Sequence, residues 1–151
     1  MPLTCHADIE RRIPHKGRMC LLERVVDWSS DGLHAQSEGH VAADHPLRAN
    51  DRLDAVHGIE YAAQAMAVHG GLLAEEAGAD GPPRQGYLTS VRGVQFAVGR
   101  LDDLPGAIDV KVQRLSGDEL NILYRFSLWH DGRELLSGRA SVMLDASGAS
   151  A

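Results

Sequence analysis

The hydrophobic positions of this chain change their spacing near its middle. In the segment AVHGIEYAAQAMAVHGGLLAEEAG, residues 55–78, apolar side chains recur mostly every three or four residues, at Val56, Ile59, Ala63, Met66, Ala67 and Leu73. This spacing is typical of one face of an α-helix, so we predict a helix from Ala55 to Ala77. Alanine is frequent at the remaining positions, which lets neighbouring elements approach the helix closely.

The second half of the chain alternates instead, as strands do. We predict four strands, in GYLTSVRGVQFAV, AIDVKVQRL, LNILYRFSLW and ELLSGRASVML, with a tight hairpin at Asp131-Gly132. Before the helix, a short helical turn near Asp8–Arg12 precedes two paired strands, LLERVVDW and GLHAQSEGH, and His45–Asp54 is an irregular connection. Helix and strands are segregated along the chain, which predicts an α+β fold: one long central helix wrapped by a curved antiparallel sheet.

Composition and charge limit the possible functions. The chain has 151 residues, of which 44% are hydrophobic and 24% charged, and this fits one domain over residues 1–145 with a flexible tail at 146–151. A net charge of −6 argues against general nucleic-acid binding. No apolar run is long enough for a membrane helix or a signal peptide, so we expect a cytoplasmic protein without a membrane partner. The two cysteines, Cys5 and Cys20, match no zinc or redox spacing.

Glu60 is the one acidic residue in the apolar first half of the predicted helix. A carboxyl group enclosed by apolar neighbours loses hydration, which favours its protonated form and suits a proton donor. From position alone, Glu60 could equally face solvent or interact with the first helical turn.

Histidines are the other candidates for chemistry. His15 stands alone in the turn PHKG, His57 shares a helix face with Glu60, and His40, Asp44 and His45 are close in sequence without a recognised metal-ligand spacing. We therefore expect no metal. His69 is expected to be a helix-face or core residue. Gln64 follows Glu60 by one turn and could hydrogen-bond to its carboxyl or serve simple packing.

Four segments resemble one enzyme family in the same order. IPHKGRMCLLERV resembles the LPHRxPxLLxDRV opening of the FabZ-type (3R)-hydroxyacyl-acyl-carrier-protein dehydratases, and IEYAAQA resembles their xEAxAQ helix motif. GYLTSVRGVQF and DGRELLSGRASVML resemble the strand after their helix and their closing hairpin. The resemblance implies a hotdog fold, and a dimer in which His15 of one subunit meets Glu60 of the other.

The resemblance also implies a reaction and a set of site residues. His15 would take the C2 proton of a 3-hydroxyacyl thioester, and Glu60 would protonate the departing hydroxyl, without any cofactor. Main-chain N–H groups at the helix start would bind the developing oxyanion. The expected substrate-binding residues are Gly17, Val56, His57, Gly58 and Gln64. An acidic acyl carrier protein would dock on a basic patch of Arg11, Arg12, Lys16 and Arg18.

The loop before the helix differs from the family's motif and indicates one branch of the family. The family's FPGxPxMPG loop is replaced here by HPLRANDRLDAVHG, and the HGIE entrance to the helix looks more like the ApeP-like dehydratases of aryl-polyene pathways. That branch often works with a second hotdog subunit, so homodimer and heterodimer both stay open. A hotdog acyl thioesterase and a noncatalytic subunit of a heteromeric dehydratase are the alternative functions.

Overall fold

The computed structural model describes residues 6–13, 17–78, 86–118 and 120–144. The order of elements is α1 (His6–Glu10), β1 (Arg24–Ser29), β2 (Gly32–Ser37), α2 (Gly58–Glu76), β3 (Gly86–Phe96), β4 (Ile108–Gly117), β5 (Asn121–His130) and β6 (Arg133–Leu144). All neighbouring strands pair antiparallel, in the order β1-β2-β4-β5-β6-β3. The predicted α+β class, with one long helix on an antiparallel sheet, is confirmed.

The long helix begins later than the sequence predicts. Residues Ala55–His57 form a 3₁₀ turn, and the α-helix runs from Gly58 to Glu76. The C-terminal end agrees with the prediction, because the N–H of Ala77 still donates to the Leu73 carbonyl, at 3.0 Å. Gly78 follows with a positive φ of 83°, a conformation that glycine adopts without strain and that commonly ends helices.

Four of the six strands form where the alternation predicts them, and the first two are shorter. The second strand ends at Ser37 and not at His40, because Gly39–Val41 form a 3₁₀ turn. Leu21 and Leu22 are buried but lie before β1, because the Leu21 N–H donates to a side chain of α2 and not to a neighbouring strand. The hairpin at Asp131-Gly132 forms as predicted. Both residues have positive φ, 48° and 77°, as a tight two-residue turn requires.

The core lies between α2 and the inner face of the sheet. Strands β4, β5 and β6 supply alternate buried side chains, and α2 buries residues on several sides, including Tyr61, Gln64 and His69. Gly58 allows the start of α2 to pack closely on this sheet. A Cβ there would lie 2.7 Å from Leu136 Cδ2 and 3.1 Å from Leu128 Cδ2. The packing between α2, β5 and β6 therefore fixes the position of the helical turn that carries Glu60.

Several sequence predictions fall on residues outside the described ranges. These are His15 and Lys16, Cys5, the loop that follows the helix, and the C-terminal tail. Among the helices of the described ranges, none is long and apolar enough to cross a membrane.

Candidate active site

Glu60 lies in the first turn of α2 and is half-buried. The side-chain amide of Gln64, one turn later, donates from Nε2 to Glu60 Oε1 at 3.3 Å. The predicted contact between these two residues is therefore present in the structure. It holds one carboxylate oxygen toward the helix and so restricts the orientation of the group.

Gln64 is fully buried, and its main partners are in the loop segment, which we define as residues 17–21. Its Nε2 donates to the Met19 carbonyl at 2.7 Å, and its Oε1 accepts from the Leu21 N–H at 2.8 Å. Both N–H protons of the amide are thus in use, one toward the loop segment and one toward Glu60. Gln64 therefore joins the loop segment to the helical turn that carries Glu60.

Further buried hydrogen bonds lie next to the same loop segment. The Leu47 N–H donates to His45 Nδ1 at 3.1 Å, which places the imidazole proton on Nε2, and Nε2 donates to the Tyr61 hydroxyl at 2.9 Å. The Ser37 side chain lies near the Tyr61 hydroxyl, and the Ser37 hydroxyl donates to the Leu21 carbonyl at 2.7 Å. Burial lowers the pKa of His45 and raises that of Tyr61, so both groups are neutral at pH 7.

A cavity of about 380 Å³ lies between the loop segment and these hydrogen bonds. Its lining includes Gly17, Arg18, Leu21, Asp44, His45 and Tyr61. Of the predicted substrate-binding residues only Gly17 lines it. Glu60 and Gln64 are not among the described residues that line it.

The start of α2 does not provide the free donors expected from the sequence. The Ala55 N–H donates to the Gly99 carbonyl, and the N–H groups of His57 and Gly58 donate to the carbonyls of Asp54 and Ala55, respectively. Val56 is 52% exposed and His57 half-buried, while Gly58 is buried against the sheet. The prediction that the AVHG stretch presents a row of unpaired N–H groups is therefore wrong for three of its four residues.

The basic residues near the N-terminus are mostly paired with acids. Arg12 Nε lies 2.8 Å from Glu75 Oε2, and the Arg12 side chain is only 14% exposed. Arg11 and Arg18 are exposed and lie 3.5 Å from Asp8 and Asp44, respectively. The predicted docking patch is thus partly neutralised within the chain.

The remaining histidines of interest are structural in this fold. His69 is buried, and its Nε2 donates to the Ser29 carbonyl while its Nδ1 accepts from the Tyr124 hydroxyl, both at 2.8 Å. His40 donates from Nε2 to the Leu104 carbonyl at 2.6 Å. Within the described residues, no three His, Cys, Asp or Glu side chains are arranged to hold a metal ion.

The sequence does not reveal that His45, Tyr61 and Ser37 lie together. From the sequence, His45 is only a possible metal ligand, and no role is predicted for Ser37 or Tyr61. A polar aromatic residue directly after Glu60, in an otherwise apolar helix, was the available signal. Its partners lie 16 and 24 residues away, where local patterns give no information.

A long helix packed against a six-stranded antiparallel sheet is the arrangement of the hotdog fold, so the protein belongs to the hotdog class. A model of the ApeP-like family, described as ApeP dehydratase, matches residues 7–149. The chain belongs to the ApeP-like dehydratase family, and the predicted hydro-lyase class is confirmed at that level. A comparison with curated protein sequences finds no significant match.

Solved structures agree with this class. The chain is similar to one in the dehydratase heterocomplex ApeI:P from Xenorhabdus doucetiae, with a TM-score of 0.80, 24% identity and 93% coverage of each chain. It is also similar to the HP0420 homologue from Helicobacter felis, with a TM-score of 0.64, 9% identity and coverage of 92% and 88%. A hypothetical thioesterase with coenzyme A from Streptococcus pneumoniae has a TM-score of 0.58, 8% identity and coverage of 80% and 84%. At these identities the likeness concerns the fold.

Proposed function

We propose that this dehydratase removes water from a 3-hydroxyacyl thioester carried by an acyl carrier protein, in aryl-polyene or fatty-acid-like biosynthesis. His15 takes the proton from C2, and the electron pair left on C2 forms the double bond to C3. The C3–O bond breaks as Glu60, in its protonated form, donates a proton to the hydroxyl, which leaves as water. The product is the trans-2-enoyl thioester.

The observation that carries this proposal is the set of hydrogen bonds made by Gln64. One buried amide joins the Glu60 carboxyl to the segment that immediately follows the PHKG turn. Acid–base catalysis needs each reacting group held in a fixed orientation, and this amide restrains the Glu60 carboxyl and the loop segment of the same subunit. Gly17, Val56, His57 and Gly58 stay in the proposal as residues near the substrate.

His45 is a second histidine of interest, as a hydrogen-bond donor and not as the base that takes the C2 proton. It lines the cavity, is buried, and remains neutral because burial lowers its pKa. With its proton on Nε2, it would donate to a substrate oxygen that replaced the Tyr61 hydroxyl. The motif resemblance supports His15 as the base and the described geometry supports His45 as a donor, so the experiment below includes both.

We further propose that the active protein contains a second hotdog subunit, either identical or homologous, paired along β3. This strand has 11 residues, stands at the end of the sheet and has β6 as its only neighbour among the described strands. Its exposed side chains include Tyr87, Leu88 and Phe96. A long apolar edge strand promotes association unless it is covered, and pairing with another β3 would cover it.

The test incubates the protein, alone and with a co-expressed second hotdog subunit, with a 3-hydroxyacyl carrier protein. Mass spectrometry then distinguishes loss of one water, loss of the whole acyl group and no change. These outcomes correspond to a dehydratase, a thioesterase and a noncatalytic subunit. Only the first agrees with the proposal.

The variants His15→Ala, His45→Ala and Glu60→Gln assign the roles. We expect Glu60→Gln and the variant of the true catalytic histidine to lose about 10²–10⁴-fold in rate with an unchanged fold. A histidine whose alanine variant keeps full activity is removed from the mechanism. If the protein is a homodimer and the pair is shared between subunits, mixing the two inactive variants restores at most about half of the activity.

A further inference from the structure

Three arginines stand side by side on the outer face of the sheet, away from α2. The strand register pairs Arg92 of β3 with Arg139 of β6, and Arg139 with Arg125 of β5. All three side chains are exposed. We call this set the arginine row. Gln113 of β4 is the next residue across the sheet, opposite Arg125.

The arginine row lacks counter-charges of its own. Within the described part of the chain, no hydrogen bond or ion pair reaches any of its three guanidinium groups, whereas arginines elsewhere pair with acids, such as Arg12 with Glu75 and Arg52 with Asp54. Like charges directly opposite each other destabilise a sheet. Serine or glutamine at these positions would keep the outer face polar without this repulsion. Three adjacent arginines destabilise the isolated sheet, and an anionic partner bound over them would remove the repulsion.

The spacing of the row fits a regular array of carboxylates. Residues paired across neighbouring antiparallel strands have Cα atoms about 5 Å apart, so the row spans about 10 Å in a nearly straight line. Acidic residues three or four positions apart on an α-helix rise about 5 Å per step along one face. Three successive carboxylates of such a helix can therefore each meet one arginine.

We propose that the arginine row is the docking surface for the acidic carrier protein, which binds there through one acidic helix; this inference rests on the proposed function. The chain has a net charge of −6, so an acidic partner is repelled overall and needs a local basic surface. The N-terminal arginines predicted for this role are the weaker choice, because their charge is already matched by Asp8, Glu75 and Asp44. Arg92 also places one end of the row on β3, the edge at which a second subunit is proposed to pair.

The test measures binding of carrier protein without an acyl group, by calorimetry at low and high salt, so that chemistry plays no part. The variant Arg125→Gln/Arg139→Gln removes two charges while leaving the edge strand β3 untouched. Arg52→Gln is the matched control, since it removes an arginine that is paired with Asp54. Arg11→Gln/Arg18→Gln tests the N-terminal patch. Thermal unfolding of each variant confirms that it folds.

We expect the row variant to bind about 5–30-fold more weakly, as two exposed ion pairs would account for, and to lose most of its dependence on salt. Its unfolding temperature should equal or exceed that of the wild type, because removing the charges relieves repulsion. Unchanged binding by this variant, with weaker binding by the N-terminal variant, would overturn the proposal. So would a wild type that does not bind the carrier protein at all. Dehydration of a pantetheine-linked substrate tests the proposed function separately.

Discussion

Replacing Gln64 with leucine tests whether one buried amide supports both the fold and the site. Leucine has a similar volume and fits the same apolar surroundings on α2. It removes the acceptor for the Leu21 N–H, the donor to the Met19 carbonyl and the donor to Glu60. The change therefore detaches the loop segment from the helix without opening a large cavity.

The expected cost follows from the groups left behind. The Leu21 N–H is buried, and a buried main-chain donor without a partner costs about 1–3 kcal/mol. The Met19 carbonyl lies in a half-buried contact and can recruit water, so its loss adds about 0.5–1.5 kcal/mol. We expect the free energy of unfolding to fall by about 2–4 kcal/mol, which for a chain of this size lowers the unfolding temperature by roughly 10 °C.

Urea unfolding, followed by circular dichroism, measures this effect, and Gln113→Leu is the control. Gln113 undergoes the same chemical change at an exposed position on β4, where substitutions usually alter stability by less than about 0.5 kcal/mol. Kinetic assays run well below the unfolding transition should show kcat reduced by about 10²-fold in Gln64→Leu, since the loop segment no longer fixes the site.

Two results would refute this reasoning. If Gln64→Leu were as stable as Gln113→Leu, the three hydrogen bonds would contribute no net stability. If stability fell while kcat stayed at the wild-type value, Gln64 would hold the fold together without positioning the catalytic groups.

Two further predictions concern the packing of α2 and the buried histidines. Gly58→Ala should be about 1–3 kcal/mol less stable than Gly70→Ala on the same helix, because a Cβ at Gly58 meets the Leu136 and Leu128 side chains and a Cβ at Gly70 meets nothing within 4 Å. Equal stabilities of the two variants would contradict the close packing at Gly58. The free energy of unfolding should also fall as the pH drops below 6.5, because three buried histidines bind protons in the unfolded chain and not in the folded one. For three such groups the decrease is at most about 4 kcal/mol per pH unit. The three histidines are His40, His45 and His69, whose pKa burial lowers. Urea unfolding between pH 7.5 and 5.5 checks this prediction, and a stability that does not change with pH would show that burial does not keep them neutral.

Local patterns in the sequence were enough to predict the helix, four of the strands and the hairpin. Hydrophobic periodicity reports which side of a segment will be buried, and that is a property of neighbouring residues. The Asp131-Gly132 turn was predictable for the same reason, since its positive φ values depend on those two residues. The motif resemblance led to the dehydratase class, which the ApeP-like family match confirms.

The tertiary structure alone decided how the polar side chains are used. The 3₁₀ turn before Gly58 begins where the Ala55 N–H donates to the Gly99 carbonyl, 44 residues away, and the late start of β1 depends on a bond between Leu21 and a helix 43 residues away. The arginine row exists only because the strand register aligns residues 92, 139 and 125. A sequence shows which residues are polar, but partners so far apart along the chain are chosen by the packing of the sheet and the helix, since only that packing brings them within hydrogen-bonding or Coulombic range.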